Sequence, residues 1–138
     1  MKKYILALLY LVVMPTIALG YTLLCDDYHT VCTIGDYTYT GTKTKPVYAQ
    51  DGVMCINNKT KCTNGYNTIT SVGAATPLYT SNGIICKANK SMCIFGKYTF
   101  TSTNANKPLI IEDGLLCTYD RKSCTNGFGV INRRKTKE

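Results

Sequence analysis

The residues with most chemistry to offer are eight cysteines, paired as Cys25/Cys32, Cys55/Cys62, Cys86/Cys93 and Cys117/Cys124 with six residues inside each pair. Cysteine pairs form disulfides, hold metals or supply nucleophiles. Zinc ribbons and fingers space their ligands as C-x2-C or C-x4-C and often add histidine. Here the spacing is C-x6-C and His29 is the sole histidine, so no metal and no cofactor is expected. Nucleophilic catalysis needs a base within reach of the thiol, and His29 occurs beside one pair of the four. Asp26 and Asp27 are adjacent, so on a strand they point to opposite faces and do not cooperate. With no Gly-x-Ser-x-Gly elbow and no phosphate loop, an enzyme is not expected.

The first 20 residues decide between thiol and disulfide. Lys2 and Lys3 precede an apolar run from Ile5 to Val13, and Ala18-Leu19-Gly20 offers small residues before Tyr21. This is the layout of a cleaved secretory signal peptide over residues 1–20. The apolar run falls short of the roughly 20 residues that cross a bilayer. No later segment is apolar enough to span, so no transmembrane segment is expected after signal removal. In an oxidising compartment the eight cysteines read as four disulfides. The mature chain would start at Tyr21, with 118 residues and a net charge of +6.

The cysteine pairs step by 30, 31 and 31 residues, and other residues keep that step. Gly35, Gly65, Gly96 and Gly127 each follow the second cysteine by three. Pro46, Pro77 and Pro108 are 31 apart. Asp51-Gly52, Asn82-Gly83 and Asp113-Gly114 place a glycine three residues before the next pair. A period shared by Cys, Gly and Pro marks a tandem repeat. Counted from these turns, the units are 21–50, 51–81, 82–112 and a truncated 113–132, followed by a basic tail, 133–138.

The elements that position the cysteines read as strands. Tyr37–Thr40, Asn67–Thr70 and Tyr98–Thr101 alternate with period two, and Val130-Ile131 continues the pattern. The prolines suit the first residue of a strand, where no ladder donor is needed. Asp-Gly and Asn-Gly between apolar runs predict type I′ hairpins that set Tyr48 opposite Cys55 and Tyr79 opposite Cys86. A second hairpin fits inside each C-x6-C segment, with two-residue turns centred on Tyr28-His29, Asn58-Lys59, Asn89-Lys90 and Asp120-Arg121. Such turns place paired cysteines opposite, about 5.5 Å apart at Cα if they fall on a hydrogen-bonded pair.

Local bridges Cys25–Cys32, Cys55–Cys62, Cys86–Cys93 and Cys117–Cys124 are therefore favoured. A rival scheme links Cys32–Cys55, Cys62–Cys86 and Cys93–Cys117, leaving Cys25 and Cys124 to close the ends. Chain entropy favours the rival, at roughly 3.5 against 2.5 kcal/mol per bridge. Regular spacing in every unit favours the local scheme, and connectivity stays open at this level.

The fold expected is all-β: a disulfide-stapled tandem array of hairpins or meanders, linear or curled so that the last unit meets the first. One unit cannot bury enough apolar surface, so neighbours must stack. The matched apolar positions are Tyr39, Ile69, Phe100, Ile131; Val47, Leu78, Leu109; and Met54, Ile85, Leu116.

Candidate contact residues lie outside that set. Tyr28, Tyr66 and Tyr119 sit beside turns and offer rigid area with a polar tip. Asn58-Lys59-Thr60 and Asn89-Lys90-Ser91 fit the N-glycosylation sequon at hairpin tips. Arg133, Arg134 and Lys135 open the basic tail, which suits anionic glycans or surfaces. The strand pairs Thr38/Thr40, Thr68/Thr70 and Thr99/Thr101 resemble the Thr-x-Thr rows of insect antifreeze proteins in that tripeptide alone. A solvent-facing strand surface, for which threonine is a good residue, is the reading preferred.

The function expected is a secreted or surface-displayed, non-catalytic module that contacts extracellular glycan or protein. The alternative is a secreted effector or inhibitor of one host or competitor protein. Nucleic acid is not expected as a partner, since export and the lack of aromatic interleaving both oppose it. Oligomeric state is left open.

Overall fold

The computed structural model describes residues 21–132 apart from Asn57. The expected signal peptide, residues 1–20, and the basic tail, with Arg133, Arg134 and Lys135, lie outside the described residues.

The described chain is all-β, with 15 short strands in four separate antiparallel sheets. The first sheet holds β1 (Leu24–Cys25), β2 (Val31–Ile34) and β3 (Tyr37–Thr40). The second holds β4 (Tyr48–Gln50), β5 (Val53–Ile56), β6 (Lys61–Thr63) and β7 (Thr68–Thr70). The third holds β8 (Tyr79–Ser81), β9 (Ile84–Cys86), β10 (Met92–Phe95) and β11 (Tyr98–Thr101). The fourth holds β12 (Ile110–Glu112), β13 (Leu115–Cys117), β14 (Ser123–Thr125) and β15 (Val130–Asn132). Each is a meander in chain order.

The Asp-Gly and Asn-Gly hairpins form as expected. Both turn residues have positive φ at Asp51-Gly52 (53° and 78°), Asn82-Gly83 (46° and 91°) and Asp113-Gly114 (51° and 76°). Tyr48 pairs with Cys55 and Tyr79 with Cys86. These turns join strands of one sheet, so unit boundaries drawn at 50/51, 81/82 and 112/113 cut through hairpins. The sheet breaks fall earlier, in the polar loops. The short sheet is consequently the first, with three strands, and the fourth has four. The prolines precede their strands by two residues, because Val47, Leu78 and Leu109 first donate to the backbone oxygens of His29, Lys59 and Lys90.

All four local disulfides are present, and no described cysteine is free. Paired cysteines stand opposite, with Cα separations of 4.0–4.1 Å rather than 5.5 Å. They occupy non-hydrogen-bonded positions, where strands approach more closely. Asp26 N donating to Val31 O, the next pair out, fixes that phase. The tip turns also differ from a centred two-residue form. In the second sheet both Asn58 and Lys59 have positive φ, but elsewhere only His29, Lys90 and Arg121 do. There the turn closes one residue earlier, with His29, Lys90 and Arg121 donating to Asp26, Lys87 and Thr118. The Asn89 and Asp120 carboxamide and carboxylate instead accept from the backbone two residues on, at Ser91 and Lys122.

Sheet stacking makes the core. Cys32, Ile34 and Tyr39 of the first sheet bury against Val47 and Met54. Val53, Cys55, Cys62 and Ile69 of the second bury against Leu78, Ile85 and Ile94. Ile84, Cys86 and Cys93 of the third bury against Leu109 and Leu116, with Phe95 and Phe100 packed alongside. Each disulfide face except the fourth therefore packs on the opposite face of the next sheet. β5 and β9 read as unbroken apolar runs because they are covered on both faces. Nearly all the matched apolar positions are in this core. Phe100 is half-buried, and Ile131 is exposed because, among the described residues, no sheet packs on that face of the fourth. Val53, Ile84, Ile34 and Ile94 join the core although their alignment across units did not single them out.

A finer alternation overlays the 31-residue step. The first and third sheets close with two-residue turns, Gly35-Asp36 and Gly96-Lys97, between paired Ile34/Tyr37 and Phe95/Tyr98. The second and fourth close with four-residue loops between paired Thr63/Thr68 and Thr125/Val130. In both loops an asparagine, Asn64 or Asn126, accepts from two backbone N–H groups. A threonine hydroxyl, Thr63 or Thr125, donates to the loop's last carbonyl. Cys-Thr-Asn-Gly at 62–65 and again at 124–127 is the sequence mark of this second class.

Candidate functional site

Each full sheet ends on one side with two turns, the Asp/Asn-Gly turn and the Gly turn after the second cysteine. Stacking lines these turns up in two columns. In one, Gly35 packs closely on Gly65 and Gly96 on Gly127, since a Cβ on Gly35 would lie 3.0 Å from Gly65 O and one on Gly96 only 2.2 Å from Gly127 O. In the other, Gly83 lies against Asp51 O. Asn64 Nδ2 ties the second sheet to the third by donating to Gly96 O at 2.8 Å.

Between the columns runs an open groove of about 500 Å³. Tyr21, Tyr66, Phe95 and Phe128 supply rings, and Asp51, Asn82, Lys97 and Asn126 supply polar groups. Tyr21 and Tyr66 pack ring on ring, centroids 4.7 Å apart. Tyr98 OH donates to Phe128 O at 3.1 Å and holds that loop in place. Asn64 is committed to the backbone on both its polar atoms, whereas Asp51, Asn82 and Lys97 have no side-chain bond among the described residues.

Of the contact tyrosines expected from the sequence, Tyr66 alone reaches this groove. Tyr28 and Tyr119 are exposed at cysteine-hairpin tips, on the opposite end of the sheets and three sheets apart. Lys43 Nζ stands 4.4 Å from the Tyr28 ring centroid, so that ring already holds a cation. Asn58 and Asn89 are exposed at the same end, as sequon use requires. Phe95, Phe128 and Tyr21 were not singled out from sequence, because each occupies a position filled by different residue types in other units.

The tip end also carries one basic-type residue per sheet: His29, Lys59, Lys90 and Arg121. Three are engaged in holding neighbouring strands. Lys59 lies over the Tyr48 ring at 4.2 Å and donates to Thr80 Oγ1, and Lys90 lies over Tyr79 at 4.5 Å. Arg121 makes a bidentate pair with Glu112. Cys25, His29 and Cys32 are a cluster of metal-ligating types. Its two sulfurs are joined to each other, which leaves His29 as its one ordinary ligand.

Three exposed carboxylates are held below their ordinary pKa. Asp26 accepts from the Thr30 hydroxyl and from the backbone N–H groups of Thr30 and Val31. Glu112 is lowered by its hydrogen bonds to Arg121, and Asp120 by the Lys122 N–H and the Thr118 hydroxyl. A lowered folded pKa gives stability that is present above the unfolded value and lost as pH falls through the folded one. The urea midpoint should therefore hold above the ordinary values of 3.8 for Asp and 4.5 for Glu, and fall below them. Asp26→Asn with Glu112→Gln should flatten that acid limb. In the first core Tyr39 faces Thr68, yet neither hydroxyl makes a hydrogen bond of good geometry, and burial pushes the Tyr39 hydroxyl pKa up.

Among the described residues no helix is long and apolar enough to cross a membrane. Comparison of the chain with protein-family models, with curated proteins and with solved structures finds no match.

Proposed function

We propose that the chain is a secreted, non-catalytic binding module that contacts extracellular glycan or protein along the groove between the turn columns. The observation that carries this reading is the groove's lining: four aromatic residues beside the uncommitted side chains of Asp51, Asn82 and Lys97. Rings take the apolar face of a ligand, and the few polar groups fix its orientation. A linear glycan suits this pattern best, since it presents C–H faces and hydroxyls in alternation along its length. Four disulfides in a small domain agree with an oxidising, extracellular setting. Signal cleavage before Tyr21 and glycosylation at Asn58 and Asn89 belong to the same reading.

A glycan array followed by calorimetry on the best hit tests it. Tyr66→Ala and Phe128→Ala should each weaken binding about tenfold, the effect of losing one stacked ring. Tyr28→Ala, at the far end, should leave it unchanged. Equal affinity in all three variants would sink the groove as the site. The second reading, an effector or inhibitor of one protein, rests on loops Gly41–Lys45 and Gly73–Thr76, which differ from unit to unit. It requires a one-to-one complex that survives loss of both groove rings.

A further inference from the structure

The stack has two unmatched ends. Leu24, just before the first cysteine of the first pair, is 63% exposed, whereas Met54, Ile85 and Leu116 at the same offset are fully buried. Ile131, opposite Cys124 on β15, is 74% exposed, whereas Tyr39 and Ile69 at its position are buried. These are the two halves of one contact. Inside the chain Tyr39 shares a core with Met54, Ile69 with Ile85, and Phe100 with Leu116. The contact is thus made three times, and each end of the described stack carries one exposed half of it.

A second observation specifies what fits. Two-residue turns and four-residue loops alternate from sheet to sheet, and the described stack starts on the turn class and finishes on the loop class. A fourth sheet followed by another molecule's first sheet continues the alternation without a fault. That joint belongs to the class already made between the second and third sheets, where Asn64 Nδ2 donates to Gly96 O. Asn126 holds its loop with Oδ1 as Asn64 does, and the oxygen that its Nδ2 would find across the joint is Gly35 O of the next copy.

We propose that the chain associates head to tail with further copies of itself, the disulfide face of the fourth sheet seating on the outer face of the first sheet of the next molecule. Ile131 meets Leu24 of the neighbour, and the exposed Val31 lies beside it. Such a contact is heterologous, so it leaves a free half at each end and extends into linear assemblies instead of closing as a dimer. The first sheet has Thr33 where the third has buried Ile94, and it lacks the strand that β8 supplies to the third. The joint is therefore weaker than those inside the chain, and assembly is reversible and concentration-dependent. This holds whatever ligand the groove takes. If it does take one, copies joined this way carry their grooves in one continuous line.

Sedimentation velocity of the full secreted chain tests it, over a concentration series reaching about 1 mM, where weak contacts register. The sedimentation coefficient should climb steadily, without a plateau at dimer. Ile131→Lys and Leu24→Lys should each raise the concentration for half-association about tenfold or more, because each puts a charge into an apolar contact. An equimolar mixture of the two variants should form dimers and stop, since each retains one good end. Unchanged circular dichroism and oxidised thiols establish that both variants fold, and Ile131→Thr repeats the test without a charge. The proposal is overturned by a wild-type chain that stays monomeric, by a wild-type plateau at dimer, by single variants that assemble like wild type, or by a mixture that stays monomeric.

Discussion

Replacing Cys55 and Cys62 together with alanine is expected to cost about 4 kcal/mol, and replacing Cys117 and Cys124 about 3 kcal/mol. The comparison is informative because the chain-entropy contribution is the same for all four bridges. Each closes a loop with a sequence separation of 7, worth about 2.5 kcal/mol by loop closure. What differs is burial. Cys55 and Cys62 are wholly enclosed in the core between the second and third sheets, beside Ile69, Leu78 and Ile85. Removing their sulfurs leaves a void, and each lost sulfur counts roughly as a methylene, about 0.8 kcal/mol. Cys124 is only half-buried, because among the described residues no sheet covers that face of the fourth. Urea unfolding of the two oxidised variants measures the difference. Equal losses would mean that the bridges act through chain entropy alone and that the sulfurs are not packing atoms.

The same asymmetry explains what could be read in advance. Cys, Gly and Pro at a common step placed the hairpins, and Asn-Gly chemistry placed the left-handed turn residues, because those signals are local and demand particular residue types. The pairing Cys25–Cys32 and its repeats follows from the same locality. Phase between units was harder. Asp51-Gly52 is the most conspicuous punctuation in the chain, yet it lies inside a sheet, whereas the true sheet break is in the less regular loop before Pro46. Ile131 has the residue type of a core position, and it is exposed because no sheet among the described residues packs on it. No local pattern carries that information. The groove was least legible, since its rings come from Tyr21, Tyr66, Phe95 and Phe128, positions that become neighbours only once the sheets stack. The repeated Cys-Thr-Asn-Gly was available as a signal for the alternation, but the shorter 31-residue step concealed it.

The step that turns separate hairpins into one object is the glycine column, and it can be broken at a single atom. Gly96→Ala is expected to destabilise the chain by about 3 kcal/mol or more, and Gly114→Ala by only about 1 kcal/mol. Both residues have positive φ, +60° and +76°, so both substitutions force alanine into the left-handed region. The difference is what surrounds the new methyl group. At Gly114 nothing lies within 4 Å, but at Gly96 the methyl would stand 2.2 Å from Gly127 O, a backbone atom that moves only if the fourth sheet moves. The third sheet cannot retreat the other way, because the second sheet already meets it there, with Asn64 Nδ2 at 2.8 Å from Gly96 O. Gly96 is held from both sides, so the strain has no soft outlet. Gly65→Ala should fall between the two, because the close atom there belongs to the Tyr21 ring, which can turn aside. In thermal unfolding this order reads as a loss of about 10 °C or more for Gly96→Ala against about 4 °C for Gly114→Ala. If the two variants melt together, left-handed φ alone accounts for these glycines, and the close stacking of turns that forms the groove wall contributes nothing to stability.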